Sequence, residues 1–118
     1  MIGRVDGFFI SGSRDKKIRV YKDGGLLYEL EGHDGGLTSL AWSASDPDKF
    51  ISGSWDGTAR IWSLSSMECC GILPGHENGV CVLGLPNGNI VTGSTGKNLI
   101  CLFKDHYVYV CTCVCMYI

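Results

Sequence analysis

Proline is scarce in this chain, with three in 118 residues. Also missing are apolar runs of the roughly 20 residues a membrane helix needs, long runs of like charge, and a basic-then-apolar N-terminal stretch; Met1 to Phe9 reads MIGRVDGFF. The first of these absences leaves no candidate membrane-spanning helix. The second, with a formal net charge of −2, argues against strong attraction to nucleic acid or to an anionic membrane surface. The third gives no secretory pattern, so the expected setting is the reducing cytoplasm and nucleus. There the seven cysteines (Cys69, Cys70, Cys81, Cys101, Cys111, Cys113 and Cys115) read as thiols, not as a disulfide framework. What is present is 45% hydrophobic residues and 19% charged ones, the balance of a globular chain. The 17 glycines point to many short strands joined by tight turns.

Three stretches align: SGSRDKKIRVY from Ser11, SGSWDGTARIW from Ser52 and TGSTGKNLICLF from Thr92, starting 41 and 40 residues apart. A second marker, Gly-His, recurs at Gly32-His33 and Gly75-His76, 43 residues apart. Within the middle unit, strands are expected at Leu37 to Trp42, Lys49 to Ser54, Thr58 to Trp62 and Cys69 to Leu73. Asp56-Gly57 supplies the turn between the second and third. The order restarts at Val80 to Leu85, turns at Pro86-Asn87-Gly88-Asn89 and continues at Asn89 to Ser94. The first unit opens near Gly7, in what should be a second strand.

A period of about 40–45 residues with Gly-His ahead of a Trp-ended strand resembles the WD repeat. The resemblance implies an all-β chain, an incomplete WD-repeat β-propeller of about two and a half four-stranded blades. The propeller is expected over residues 1–103, with repeat cores at 7–21, 26–62 and 69–103. A closed propeller has four to eight blades, so blades at the ends of this stretch leave apolar faces open and the isolated 118 residues are expected to be marginally stable. In WD repeats a His, a Ser or Thr, an Asp and a Trp form a buried hydrogen-bonded set; here these are His33, Ser52, Asp56 and Trp62. The first repeat keeps Ser11 and Asp15 but ends in Tyr21. The third has Thr92 and His76, with Gly96 in place of the Asp and Phe103 in place of the Trp, so its blade is expected to be looser. The resemblance also places a partner-binding rim at Arg14, Gly36, Thr38, Trp55, Gly79, Cys81 and Thr95. Trp55 is the strongest anchor among them, because an indole combines apolar area with an N–H donor.

The segments EGHDGGLTSLAW, ISGSWDGTARIW and PGHENGVCVLGLPNGNIVTGSTG carry a narrower likeness. Over roughly Gly7 to Phe103 the chain is similar to the propeller of the phospholipase A-2-activating protein family. That resemblance implies a ubiquitin-binding module of the ubiquitin-dependent turnover machinery, acting with the Cdc48/valosin-containing ATPase through domains that these residues do not include. It implies no lipase chemistry, no cofactor and no metal. The alternative is a WD scaffold for an unrelated complex. A Ser/His/Asp set also invites a hydrolase reading, but no nucleophile-elbow motif surrounds Ser52, and the repeat register accounts for all three residues.

Residues 104–118 stand apart as an atypical apolar tail. Tyr107 to Ile118 reads YVYVCTCVCMYI, alternating like a strand but apolar on both faces. Its Tyr and Cys codons alternate with Val, Thr, Met and Ile codons as an alternating pyrimidine–purine repeat would dictate, so the tail reads as non-native translation of an intron or microsatellite. Cys111, Cys113 and Cys115 lack the second ligand pair of a zinc site. Cys69 and Cys70 are adjacent and point to opposite faces of a strand. Gly93 to Asn98 lacks the first glycine and the Ser/Thr of a phosphate loop. Asp46 and Asp48 flank Pro47 in a surface loop, with no partner evident from the sequence.

Overall fold

The structure, a computed structural model, describes residues 2–3, 6–43, 46–73, 79–84, 90–94, 99–104 and 107–113. They form three four-stranded antiparallel sheets, each a meander in chain order. The first is β1 (Ile2–Gly3), β2 (Phe8–Gly12), β3 (Ile18–Lys22) and β4 (Gly25–Leu30). The second is β5 (Leu37–Trp42), β6 (Lys49–Ser54), β7 (Ala59–Ser63) and β8 (Glu68–Leu73). The third is β9 (Val80–Gly84), β10 (Ile90–Ser94), β11 (Leu99–Lys104) and β12 (Tyr107–Cys113). No helix occurs among the described residues. The expected half blade at the start is a sheet whose first strand is only two residues long. Tyr107–Cys113, set apart in the sequence as a tail, is the fourth strand of the last sheet.

The period repeats in the register as well as in the sequence. Each junction between third and fourth strands carries one irregularity, at Val20/Tyr21, Ile61/Trp62 and Leu102/Phe103. A bulge at this point bends and twists the outermost strand. The second and third strands of the first two sheets meet in a turn in which the residue after the Asp has positive φ: Lys16 at 72° and Gly57 at 85°. Glycine adopts that conformation freely.

Strand alternation gives the middle sheet two working faces. Phe50, Ser52 and Trp62 point one way; Ile51, Ala59 and Ile61 point the other. The first face packs with Ile10, Ile18, Val20 and Leu30 of the first sheet. The second packs with Leu73 and Val80, partly buried Val82 and Ile90 lying against it. The core is therefore two seams between sheets, and the middle sheet, covered on both faces, is the most buried. The first sheet has no such cover on its far side, and Phe9, Leu26, Leu27 and Tyr28 are 40–55% exposed.

The glycines of the first two S/T-G-S triplets sit on seams. A Cβ on Gly12 would lie 2.7 Å from the Leu37 Cβ of the second sheet, and one on Gly53 would lie 2.2 Å from the Val80 carbonyl oxygen of the third. One on Gly93 meets nothing within 4 Å. Backbone cannot yield as a flexible side chain can, so Gly53→Ala is expected to destabilise by about 1–3 kcal/mol, as overpacking does. Gly93→Ala is expected to be neutral, or to stabilise by up to about 1 kcal/mol by restricting the unfolded chain. Urea denaturation of the two variants checks this; equal costs would contradict the assignment of Gly53 to a seam.

Candidate functional site

His33 sits in the loop between β4 and β5, and its ring reaches into the middle sheet. Its Nδ1 lies 2.9 Å from Asp56 Oδ2 and its Nε2 lies 2.6 Å from Ser52 Oγ. The Trp62 indole Nε1–H donates to the same Ser52 oxygen at 2.8 Å. An indole only donates, so Ser52 accepts from Trp62 and spends its own proton on His33 Nε2. That leaves the His33 Nδ1–H to donate to Asp56. The chain of donors runs Trp62 to Ser52 to His33 to Asp56, with a neutral imidazole and no unused proton. Register puts Phe50 opposite Trp62. The two rings stack at 6.4 Å and 15°, while Trp42 meets Phe50 edge-on at 6.0 Å.

Two residues that sequence reasoning missed complete the set. Thr58 donates its hydroxyl and its backbone N–H to Asp56 Oδ1 at 2.6 and 2.8 Å. Ser54 donates its hydroxyl to the Gly35 carbonyl at 2.9 Å and accepts from the Asp56 N–H at 3.1 Å. With the Asp34 N–H on Asp56 Oδ2 at 3.0 Å, the His33 loop is pinned to the β6–β7 turn. The available signal was the position: Thr58 lies two residues after the Asp, where a side-chain-to-backbone turn bond is expected.

The carboxyl of Asp56 is pushed up by partial burial, but hydrogen bonds from Thr58, His33 and the Asp34 backbone outweigh this and hold its pKa down to about 2. Burial, opposed by Asp56, lowers the His33 pKa from its ordinary 6.5. Both groups bind protons more readily in the unfolded chain, so both contributions are complete above the unfolded values and fade as pH falls. The thermal midpoint is expected to drop below pH 6.5 as His33 becomes the costlier group, and again between pH 3.8 and about 2 through Asp56. Circular-dichroism melts across this range check it; a midpoint that rises from pH 7 to pH 5 would contradict it.

This geometry offers Ser52 little chemistry. It is 0% exposed, its hydroxyl is shared between Trp62 and His33, and both imidazole nitrogens are engaged. In the first sheet the equivalent Asp15 has no imidazole before it; its Oδ2 takes the Arg19 guanidinium at 2.7 Å at the surface instead. That hydrogen bond lowers the Asp15 pKa. Asp46 and Asp48, for which the sequence offered no partner, both have one. Asp48 accepts from the Ser63 and Ser65 hydroxyls at 2.7 and 3.0 Å and from the Ser65 N–H at 2.9 Å. Asp46 pairs with Lys49 at 3.3 Å. These partners lie 15 to 17 residues away from Asp48, across the sheet, which is why spacing did not reveal them.

Four of the rim residues come together. The Trp55 N–H donates to the Gly36 carbonyl at 2.9 Å. A Cβ on Gly79 would fall 2.6 Å from the Trp55 ring, and one on Gly36 would fall 3.1 Å from Arg14 Cα and 3.6 Å from Trp55 Cδ1. Trp55 thus packs beside two glycines and remains 64% exposed, whereas Trp62 of the same sheet is 2% exposed. Cys81, two residues after Gly79 in β9, is exposed. Thr38 is half-buried and its hydroxyl donates to the Val80 carbonyl, a tie between the second and third sheets. Thr95, His76 and Gly96 lie outside the described residues, as do the side chains of Phe103, Cys101, Cys111 and Cys113.

Four-stranded meanders stacked face to face, the middle one closed by a Ser–His–Asp–Trp set, define a propeller blade array. The chain belongs to the WD domain, G-beta repeat family, whose sequence pattern matches residues 24–63 and 67–110. In structure it is similar to the WD40 β-propeller domain of Doa1, with a TM-score of 0.81 and 24% identity over 97% of this chain and 39% of that one; the likeness is one of fold. In sequence it is similar to cell division control protein 4 of Saccharomyces cerevisiae, 36% identical over 64% of this chain and 10% of that protein. It is also similar to GID complex subunit 7 of Schizosaccharomyces pombe, 43% identical over 52% of this chain and 12% of that protein. The ribosome biogenesis protein WDR12 homolog of Nematostella vectensis is 34% identical over 76% of this chain and 23% of its own length. The chain spans between a tenth and a quarter of these relatives.

Proposed function

We propose that these blades are a non-catalytic protein-interaction module, with Trp55 and its neighbours Arg14, Gly36, Gly79 and Cys81 as the contact rim. The observation that carries this reading is the contrast between two of the tryptophans of the middle sheet: Trp62 buried in the hydrogen-bonded set, Trp55 presented to solvent beside two glycines. An exposed, flat indole costs little ordering on contact and is a common anchor of protein interfaces. The likeness to the phospholipase A-2-activating protein family makes ubiquitin the first partner to try. On that reading the module acts in ubiquitin-dependent protein turnover in the cytoplasm and nucleus, with the Cdc48/valosin-containing ATPase reached through other domains.

A titration of the full chain with ubiquitin, followed by nuclear magnetic resonance, tests this reading. The expected result is a saturable shift of the Trp55 indole, with an affinity, read from the resonances of labelled ubiquitin, that Trp55→Ala weakens by about 2 kcal/mol, the size of an interface hot spot. Ubiquitin binding unaffected by Trp55→Ala would remove the rim from the account. The variety of the relatives, a cell-division protein, a GID complex subunit and a ribosome biogenesis protein, favours the second reading, a scaffold for a different assembly. Under it the chain fails to hold ubiquitin.

A further inference from the structure

Resting on the rim reading above, we infer that the Trp55 shelf takes an apolar side chain from an acidic segment of a partner protein, whose carboxylates pair with Arg14 and Lys16. Most described cations already have a neighbour. Arg19 is held by Asp15 at 2.7 Å and Glu29 at 3.3 Å, Lys17 by Glu29 and Glu31 at 3.7 and 3.5 Å, and Lys49 by Asp46 at 3.3 Å. Lys22 lies 4.3 Å over the Phe8 ring. Arg60 is half-buried near Gly32, its Nη1 4.0 Å from Cys69 Sγ. Arg14 and Lys16 are exposed, and among the described residues no carboxylate comes within 4.0 Å of either.

Both belong to the β2–β3 turn, and that turn is docked beside the shelf. The Ser13 carbonyl accepts the Leu37 N–H at 3.0 Å, and Arg14 Cα stands 3.1 Å from where a Gly36 Cβ would be. The exposed carboxylates beside this turn are Asp15 and Glu31, already paired with Arg19 and Lys17, and Asp34 on the neighbouring loop. With those pairs set aside, two positive charges on the first-sheet side against the single carboxylate of Asp34 favour a segment whose acidic residues lie over Arg14 and Lys16 while its apolar residue lies on Trp55. Rim charges of this kind set orientation and selectivity, while the indole supplies the buried area.

The test uses the full 118-residue chain and three synthetic peptides, read by the fluorescence anisotropy of labelled peptide for every variant and, where Trp55 is present, by the shift of its indole resonance. One peptide has a central leucine flanked by glutamates; in the second alanine replaces the leucine; in the third lysines replace the glutamates. The expected order is acidic-leucine first, with the alanine version weaker by roughly tenfold through lost apolar burial. The lysine version is expected to be weaker by about fivefold or more. Arg14→Glu combined with Lys16→Glu is expected to reverse the preference for acidic over lysine flanks, and added salt to weaken the acidic peptide. Equal binding of acidic and lysine peptides, an unchanged preference after charge reversal, or no saturable shift with acidic peptide up to about 5 mM would overturn the inference. Should Trp55→Ala abolish partner binding while charge reversal leaves it intact, the rim stands and the acidic partner falls. Should Trp55→Ala have no effect on it, the rim reading itself falls.

Discussion

Replacing Asp56 by alanine is expected to cost about 3–5 kcal/mol, the penalty for removing one partner of a buried, hydrogen-bonded pair. The carboxylate accepts four hydrogen bonds, from His33, the Asp34 N–H and both donors of Thr58. Without it the His33 Nδ1–H keeps only the Thr58 hydroxyl, 3.4 Å away in a buried site, and the His33 loop loses the bond from the Asp34 N–H. For a domain whose whole stability is of order 5–15 kcal/mol, and whose first sheet leaves one face open, that loss is enough to abolish a cooperative transition. Asp15→Ala, at the same position of the preceding repeat, is expected to change stability far less, because Asp15 meets Arg19 in solvent. Paired urea titrations followed by near-ultraviolet circular dichroism separate the two; equal effects would mean the middle set is no more than a surface turn.

Trp62→Ala is expected to cost about 3–5 kcal/mol, as for other buried large-to-small changes. It removes the ring stacked on Phe50 and opens the seam to the first sheet, lined by Ile10, Ile18 and Val20. Trp62→Phe separates packing from hydrogen bonding. It keeps an aromatic ring against Phe50 but withdraws the donor from Ser52 Oγ, at a cost of about 1–3 kcal/mol for a polar atom left under-satisfied. The same titrations measure both. A phenylalanine variant as unstable as the alanine variant would mean that the indole N–H, and not the seam, dominates.

The repeat was legible because a blade is written locally. Alternation fixes which side chains share a face, Asp56-Gly57 fixes a turn, and strands of five or six residues leave few other pairings. Strands expected at Leu37 to Trp42 and Lys49 to Ser54 occur at those residues. The buried set was legible through its family pattern, and the structure places His33, Ser52, Asp56 and Trp62 within one hydrogen-bonded chain. What escaped was non-local. Ser54 matters because the chain folds back to bring the Gly35 carbonyl over it, 19 residues away in sequence. Asp48 reaches Ser63 and Ser65 only through strand pairing, and Thr38 turns inward because Val80 of another sheet offers it a carbonyl. At the start of the chain, a two-residue strand is too short to show a period. At the end, the alternation that a dinucleotide repeat would write is the same alternation that a fourth strand requires; Tyr107–Cys113 pairs with β11 in the register that β4 and β8 adopt in their sheets.

Exchange of the indole protons with solvent, resolved for the individual tryptophans by heteronuclear correlation spectra of the 118-residue chain, tests most directly whether stacked blades hold one tryptophan and display the other. The Trp62 indole proton, bonded to Ser52 Oγ and 2% exposed as a residue, should exchange only through global opening, while that of Trp55 should exchange without protection. Comparable rates at the two positions would show that no buried set organises the middle blade.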